Sequence, residues 1–340
     1  MSMNPSPALP LASVVIEWEN VKLSEMDRCR QMLDALSAQI AELQTPVAEQ
    51  YLLPGTTLLR ARFEIIVLFD PQNLDRGVIE GILTAHLPPS PWYEWRLLAA
   101  DVDGYYAQKN YGAEHAKGDW LVFIDSDVVP EPGWLVNLMA PLADGGRQVV
   151  AGHTFLDPEG LLGRTFALTW FFPLPSKERK LGTTSHFFAN NVAFRRECFI
   201  AHPYRLLGGS ARGACTQMAW ELKENGIGIT LNTAAQVSHA APNGLKHYLL
   251  RGIAQGRDDL LVSRASKKPG EASLFNSLRR FLKWEWRSFR KILTKHRQVG
   301  MPIWQIPGAL FVAGLYYLML LFGDIATRIW PEKMKEAIQL

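Results

Sequence analysis

The stretch that decides the fold is Leu121–Pro130, which reads LVFIDSDVVP. Four apolar residues run directly into two carboxylates, Asp125 and Asp127, which a single serine separates. This pattern predicts a buried strand that ends in an acidic turn. Because neighbouring carboxylates repel each other and burial penalises both charges, we expect a cationic group between them.

The same pattern recurs along the first half of the chain. Short apolar segments alternate with helical ones, which predicts an α/β fold with a mainly parallel sheet. Helices are expected over Arg76–His86, Tyr105–Ala116 and Cys215–Asn225. Three of the expected strands are followed by acidic residues, namely Glu17 and Glu19, Asp70, and the pair in the opening stretch. Since ligands of such sheets bind outside the carboxyl ends of the strands, we expect these acids to meet at one edge.

Length and composition restrict the class of protein. The chain has 340 residues, of which 48% are hydrophobic, enough for one large α/β domain and an appendage. Its three cysteines are far apart and form no CxxC motif, which favours reduced thiols in a cytoplasmic protein over a disulfide framework or a zinc site. The first residues do not have the pattern of a signal peptide.

The C-terminal part has a different character. Between Ser277 and Arg297 there are eight basic residues and one acidic residue, a net charge of +7, whereas the whole chain carries only +3. Apolar residues fall on the opposite helix face, which is typical of a helix lying on a membrane surface. Met301–Gly323 follows with 23 residues and no charge, and a bilayer span needs about 20. Gln305 and Pro307 leave a re-entrant or interfacial hairpin open as the alternative.

These patterns predict three regions. Residues 1–265 form the α/β domain, 266–300 a linker with a basic amphipathic interfacial helix, and 301–340 a membrane segment with a short tail. Because basic residues accumulate on the cytoplasmic side of membrane segments, the N-terminal domain is expected in the cytoplasm. No sequence feature points to a nucleic-acid partner.

DSDVVPEPGWL resembles the donor- and metal-binding motif of family 2 glycosyltransferases, which have the GT-A fold. The resemblance extends in order from about Ser13 to Pro242. It is carried by SVVIEWEN, IIVLFDP, AQKNYGAEHAKGDW, FFANNVAFRRECF and AQVSH. These late motifs argue against nucleotidyl transfer, which also uses an α/β sheet with an acidic metal site.

The resemblance implies a nucleotide-diphosphate sugar donor and a divalent cation, Mg²⁺ or Mn²⁺, that offsets the charge of the leaving diphosphate. It places Asp127 and His239 on the metal, and it directs Asp125 to the ribose or to the water around the metal. The other donor-binding candidates are Glu17, Glu19, Asp70 and Asn110. Glu17 and Glu19 depart from the small or hydroxyl residues that are usual there.

A second departure concerns the acceptor. The family usually opens one helix with an acid pair that supplies the catalytic base, but here the segment reads GGSARGACTQMAWELKENG. Glu221 is the nearest acid and therefore the candidate base. The missing pair favours an acceptor that is already anionic, such as a polyprenyl phosphate, held by Arg212 and also by Arg251 or Arg257. A hydroxyl acceptor with a base at an unfamiliar position, or a degenerate transferase acting as a scaffold, remain the alternatives.

Overall fold

The computed structural model describes residues 9–18, 26–72, 74–102, 104–206, 213–265 and 272–337. Strands are β1 Leu11–Glu17, β2 Arg62–Phe69, β3 Tyr93–Ala99, β4 Trp120–Asp125, β5 Val128–Pro130, β6 Val149–Leu156, β7 Leu181–Thr184, β8 Asn191–Arg195 and β9 Ile229–His239. Helices are α1 Met26–Leu43, α2 Arg76–His86, α3 Tyr105–His115, α4 Trp134–Met139, α5 Gly160–Thr169, α6 Arg196–Ala201, α7 Ala214–Glu224, α8 Gly244–Ala265, α9 Leu274–Lys295, α10 Ile306–Ile329 and α11 Pro331–Ala337. The predicted α/β class is confirmed.

The chain folds into two compact units. The first unit comprises residues 1–153, 177–203 and 218–237, and the second comprises residues 154–176, 204–217 and 238–340. The division predicted at residues 265 and 300 concerns membrane attachment, which this partition does not test, and it stays a prediction.

The first unit is built around a mixed sheet. The described strands follow the order β3-β2-β1-β4-β8-β6-β9-β5, and β7 pairs with β9. The first four strands in this order are parallel, whereas β8 runs antiparallel to both β4 and β6. The register pairs Glu17 with Asp125 and also with Leu68. Glu17, Asp70 and Asp125, at the carboxyl ends of β1, β2 and β4, therefore lie at one edge of the sheet, as expected.

The two faces of the sheet are packed differently. On one face α1 buries Met32, Leu36 and Ile40 in the same apolar cluster as Val122 and Ile124 of β4.

On the other face Phe123 stacks with Phe194 and Phe199 at centroid distances of 5.8 and 4.8 Å. Since side chains alternate along a strand, Phe123 and Asp125 share this face. The aromatic cluster therefore supports the strand end that carries the first acid.

Helix α3 lies on the face of Phe123 and is held very close to the sheet by Gly112. A Cβ atom at this position would lie 2.6 Å from side-chain carbons of both Val15 and Leu68. A larger residue would push α3 away from β1 and β2. This glycine therefore sets how near the side chains of α3 come to the ends of the strands.

A buried carboxylate fixes the amino edge of the sheet. Glu64 accepts hydrogen bonds from Ser13 Oγ at 2.6 Å, from the Gly118 amide at 3.2 Å and from the Lys117 amide. Arg96 Nη2 lies 3.2 Å from its second oxygen. These contacts connect β1, β2, β3 and the residues before β4, so they hold the register of the parallel strands.

In the second unit, α8 and α10 pack so closely that their backbones are in contact, and glycines lie at the points of contact. A Cβ at Gly256 would lie 1.9 Å from the Leu320 carbonyl oxygen, and one at Gly323 would lie 2.1 Å from the Ile253 carbonyl oxygen. Small residues spaced in this way let two helices approach closely.

Helix α10 also pairs with α9. Asp324 accepts from Ser277 Oγ at 2.8 Å and from Arg328 Nε at 2.6 Å. Ile303–Ile329, which contains α10, is the one stretch among the described residues that is long and apolar enough to cross a membrane. Half of its most apolar window is buried within the structure.

We expect Gly256→Ala to destabilise the second unit by about 1–3 kcal/mol, because the added methyl group meets backbone atoms that cannot move aside. Gly314→Ala is the matched control in α10, since its nearest neighbour is Phe289 Cζ at 4.0 Å. The control should be neutral or slightly stabilising, because alanine favours a helix more than glycine does. Thermal unfolding of the full-length protein measures both changes, and equal melting temperatures for the two variants would contradict the close packing.

Candidate functional site

The candidate site lies at the carboxyl edge of the first four strands. Asp125 ends β4 and Asp127 lies in the turn that leads into β5, and their exposed fractions are only 3% and 4%. Glu17, the last residue of β1, is completely buried and pairs with Asp125 in the register. Three carboxylates are therefore withdrawn from water within a short distance of one another, which demands compensating positive groups.

Lys109 of α3 supplies the cation that the sequence required. Its Nζ lies 2.7 Å from Asp125 Oδ1, and the side chain is fully buried. The ammonium group also lies 4.7 Å from the ring centroid of Tyr105 and 5.7 Å from that of Phe123, so the aromatic π-faces stabilise its charge. The Lys109–Asp125 pair is thus withdrawn from water, so its Coulomb attraction is screened little.

Tyr105 completes the fixation of Asp125. Its hydroxyl lies 2.9 and 3.0 Å from the two carboxylate oxygens. Tyr105 and Lys109 are four residues apart on α3, so both side chains point from the same helix face. Tyr105 and Lys109 thus hold the Asp125 carboxylate in one orientation.

Helix α1 holds the turn that carries Asp127. Arg28 Nε donates to the Asp127 carbonyl oxygen at 2.7 Å. Burial raises the pKa of the neighbouring Cys29 thiol far above its usual value, and the negative charges of Asp127 and Glu17 raise it further. The thiol stays protonated and chemically inert, and the effect shows that both carboxylates lie close to the start of α1.

The loop after the acidic turn is fastened from α1. Gln39 donates to the Glu131 carbonyl oxygen at 3.0 Å and accepts from the Leu135 amide at 2.9 Å. The loop therefore enters α4 in a defined position.

Asn191, the first residue of β8, connects this strand to α4 and β9. Its Oδ1 accepts from Trp134 Nε1 at 2.8 Å, and its Nδ2 donates to the Ala235 carbonyl oxygen at 3.0 Å. Gly152 leaves the space for this amide, since a Cβ there would lie 2.2 Å from Asn191 Oδ1. Asn191 therefore fixes β8, the neighbour of β4, relative to α4 and β9.

Of the other predicted donor residues, the structure describes Asp70 and Asn110. Asp70 follows β2, is half-buried, and accepts from the Gln72 amide at 2.8 Å, which closes a tight turn. Asn110 is half-buried and follows Lys109 on α3. Glu19 lies outside the described residues, as does Arg212.

His239 ends β9 and belongs to the second unit. Its Nδ1 lies 2.8 Å from the Ala240 carbonyl oxygen, and its ring centre lies 5.5 Å from that of Phe172. Its predicted role as a metal ligand stays a prediction.

Glu221 has a partner that the sequence did not indicate. His202 Nδ1 lies 3.0 Å from Glu221 Oε1, and both side chains are partly buried in the first unit. His202 follows α6, whose Phe199 packs against Phe123. A histidine–carboxylate pair can hold or move a proton, and 19 residues separate its members, so no local motif could have revealed it.

Residues 48–202, somewhat less than half of the chain, match the family model described as glycosyl transferase family 2. The matched stretch contains Asp70, Lys109, Asp125, Asp127 and Asn191. The predicted resemblance is confirmed.

A curated relative is polypeptide N-acetylgalactosaminyltransferase 11 of Xenopus tropicalis, 29% identical over 148 residues. The alignment covers 42% of this chain and 20% of the relative, so it spans about a fifth of that protein's length.

Among solved structures, the mannosyltransferase PcManGT from Pyrobaculum calidifontis, in complex with GDP-Man and Mn²⁺, aligns with a TM-score of 0.56 and 14% identity. The alignment covers 97% of this chain and 92% of that one, and it shows a shared GT-A fold. TarS residues 1–349 of S. aureus, in complex with UDP-GlcNAc, align over 94% of this chain and 92% of that one, with a TM-score of 0.47 and 11% identity.

Proposed function

We propose that this protein is a glycosyltransferase that moves a sugar from a nucleotide-diphosphate donor to an acceptor at a membrane. The observation that carries the proposal is the paired acid site at the end of β4, inside the family 2 domain. Asp125 is fixed there by Lys109 and Tyr105, while Asp127 lies beside it in the turn. A nucleotide-sugar donor needs hydrogen-bond acceptors for its hydroxyl groups. The cation on its diphosphate needs a hard anionic ligand such as a carboxylate.

On the donor side, the residues of the chain position the nucleotide. The fixed Asp125 accepts a hydrogen bond from a hydroxyl of the donor. Asp70, which follows β2, is the proposed contact to the base or the ribose. Glu17 and Asn110 are proposed as further donor contacts. A rigid arrangement lowers the entropic cost of aligning the anomeric carbon with the acceptor.

A divalent cation, Mg²⁺ or Mn²⁺, fits this site. No cluster of three His, Cys, Asp or Glu that could hold an ion alone occurs in the described ranges of the chain. Such ions are, however, commonly bound by one or two carboxylates together with substrate phosphates. Asp127 is the proposed protein ligand, with His239 as a second candidate. When bound, the cation would neutralise charge on the leaving diphosphate.

For the acceptor, we favour a lipid phosphate such as a polyprenyl phosphate. A phosphate is already anionic near neutral pH and requires no base, which agrees with the absent acid pair in the chain segment before Glu221. It reacts in a single displacement, and the sugar is transferred with inversion. The proposed phosphate ligand is Arg212 of the segment GGSARGACTQMAWELKENG, which lies outside the described residues.

Membrane attachment is supported by the surface of the second unit. Helix α10 presents one apolar stripe to solvent, and α9 exposes Leu282 and Trp286 beside basic residues. The exposed members of the α10 stripe are Phe311, Leu318, Phe322, Ile325 and Ile329. We infer that these helices contact a bilayer from the cytoplasmic side, where anionic lipids attract the basic face.

The proposed function is tested with the full-length protein in neutral detergent. Nucleotide sugars are supplied one at a time with a polyprenyl phosphate, with Mn²⁺ or with EDTA, and both free nucleoside diphosphate and glycosylated lipid are measured. We expect Mn²⁺-dependent product with one donor. Absence of donor binding and turnover across all nucleotide sugars would favour a degenerate scaffold instead.

Glu221→Gln distinguishes the two acceptor classes. With a phosphate acceptor we expect less than a tenfold fall in kcat, because no proton has to be removed, whereas losing a true general base costs about 10²–10⁴. His202→Gln tests the other half of the pair and should behave in the same way. A steep loss of kcat in either variant, with unchanged donor affinity and melting temperature, would indicate a hydroxyl acceptor.

A further inference from the structure

The second unit contains a cavity of about 610 Å³ that the proposed donor chemistry does not use. Its walls come from the end of α5 and from α8, α9 and α10, all within this unit. One side of the cavity is aromatic and apolar, and the other side carries basic residues. We call it the cationic cavity after these basic residues.

One side of the cationic cavity is aromatic and apolar. Trp170 and Phe171 follow α5, with ring centroids 4.4 Å apart, and Tyr316 of α10 lies 6.0 Å from the Trp170 ring. Leu320 continues this wall by one helical turn. A hydrocarbon chain would be removed from water against such a surface, which is favourable.

The other side carries concentrated positive charge. Arg287, Lys291 and Lys295 follow one another at four-residue intervals on α9, and Arg290 lies beside them. Within the described ranges of the chain, none of these four side chains forms an ion pair. Burial lowers the pKa of Lys291, and the neighbouring charges of Lys295 and Arg287 lower it further. Lys291 is half-buried, whereas Arg287, Arg290 and Lys295 are exposed at the rim, so a bound anion would be stabilised by one partly desolvated cation and three solvated ones.

We infer that the cationic cavity binds the phosphate headgroup of a lipid, with the hydrocarbon chain against the aromatic wall. Arg287 and Arg290 offer planar forks that match phosphate oxygens, and Lys291 adds a third charged donor. The volume is in the range of small-molecule sites, which are mostly apolar with a few convergent polar groups. Exposed apolar residues of α9, among them Trp286, lie on the same helix as the cations, so a lipid could enter from a bilayer surface.

The inference rests on the proposed function only for the choice of lipid, since a phosphate lipid in this cavity belongs to the acceptor class named above. It concerns where the lipid is held and assigns the cavity no step of the transfer, for which Arg212 remains the proposed phosphate ligand. Binding itself does not depend on transfer, however. The cavity therefore holds a lipid phosphate whether or not the donor chemistry is as proposed.

The test measures binding to the full-length protein in dodecyl maltoside by calorimetry, with farnesyl phosphate, farnesol and inorganic phosphate as separate probes. We expect saturable binding of farnesyl phosphate, and at least tenfold weaker binding of either farnesol or inorganic phosphate. Arg287→Gln/Lys291→Gln should weaken farnesyl phosphate binding at least tenfold. Arg279→Gln/Lys283→Gln removes the same charge from exposed positions of α9 outside the cavity and should change it less than threefold.

Equal weakening by both double variants would overturn the inference in favour of general surface attraction. If farnesol binds as tightly as farnesyl phosphate, the site is apolar only. If inorganic phosphate binds as tightly, the site takes free anions. Either result would also overturn the inference. Melting temperatures of the unliganded variants show whether each is folded. Mn²⁺-dependent nucleotide binding, measured on the same preparations, separates failure of this site from failure of the proposed function.

Discussion

We expect Asp127→Asn to lower metal-dependent transfer by about 10² or more while the protein stays folded. The substitution replaces a hard anionic ligand by a neutral amide of the same shape, and metal stabilisation of a leaving diphosphate contributes several kcal/mol to the rate. The fold tolerates the change because Asp127 is buried close to Glu17 and Asp125, so removing one charge relieves repulsion. Turnover and nucleotide affinity are measured across a Mn²⁺ titration.

Asp119→Asn is the matched control. Asp119 directly precedes β4, so the same chemical change is made at the opposite end of the strand, on an exposed side chain. Its activity and Mn²⁺ dependence should equal those of the unmodified protein. Metal-dependent turnover that remains near normal in Asp127→Asn would show that another residue holds the cation.

The largest stability effect is expected for Lys109→Met, a loss of about 3–5 kcal/mol. Methionine fills a similar volume but leaves the Asp125 carboxylate buried without its cation, and breaking one partner of a buried ion pair is costly for this reason. Tyr105 still donates a hydrogen bond, which compensates only part of the lost charge interaction. The shift in the chemical unfolding midpoint of the full-length protein gives the measurement.

Two further variants test the cause. Lys109→Met/Asp125→Asn removes both charges of the pair and should recover much of the lost stability, because the carboxylate in direct contact with Lys109 is neutralised as well. Arg30→Met breaks an exposed pair with Asp27 and should change stability very little, since water screens exposed ion pairs. A double variant as unstable as Lys109→Met would indicate that packing of the lysine stem, and not its charge, is decisive.

The sequence predicted the α/β class, the parallel strands and the acidic edge, because apolar strands and carboxylates at their ends are local patterns. It also predicted the helix that contains Lys109, but it did not assign the cation that the acid pair requires. A signal was present: Tyr105 and Lys109 lie four residues apart on a helix just before β4, facing the sheet with Gly112. Helical spacing combined with the charge argument could have identified Lys109.

Other features depend on contacts between distant segments. The antiparallel insertion of β8 between β4 and β6, and the pairing of His202 with Glu221, have no short-range pattern. Helix α5 falls where hydrophobic periodicity weakens, and its position follows from packing on α9 and α10. The cationic cavity combines residues from four helices, so only the folded structure brings its two sides together.

The buried Glu64 cluster has a consequence for how a sheet of this kind can diversify. It fixes strand register at the amino edge, so the residues that follow β2 at the opposite edge do not have to hold the sheet together. Under the proposed function, substitutions there alter which nucleotide or sugar is accepted at little cost in stability. A mutant library confined to the residues that follow β2 should therefore yield a high fraction of folded variants, whereas one that includes Ser13, Glu64 and Gly118 should not.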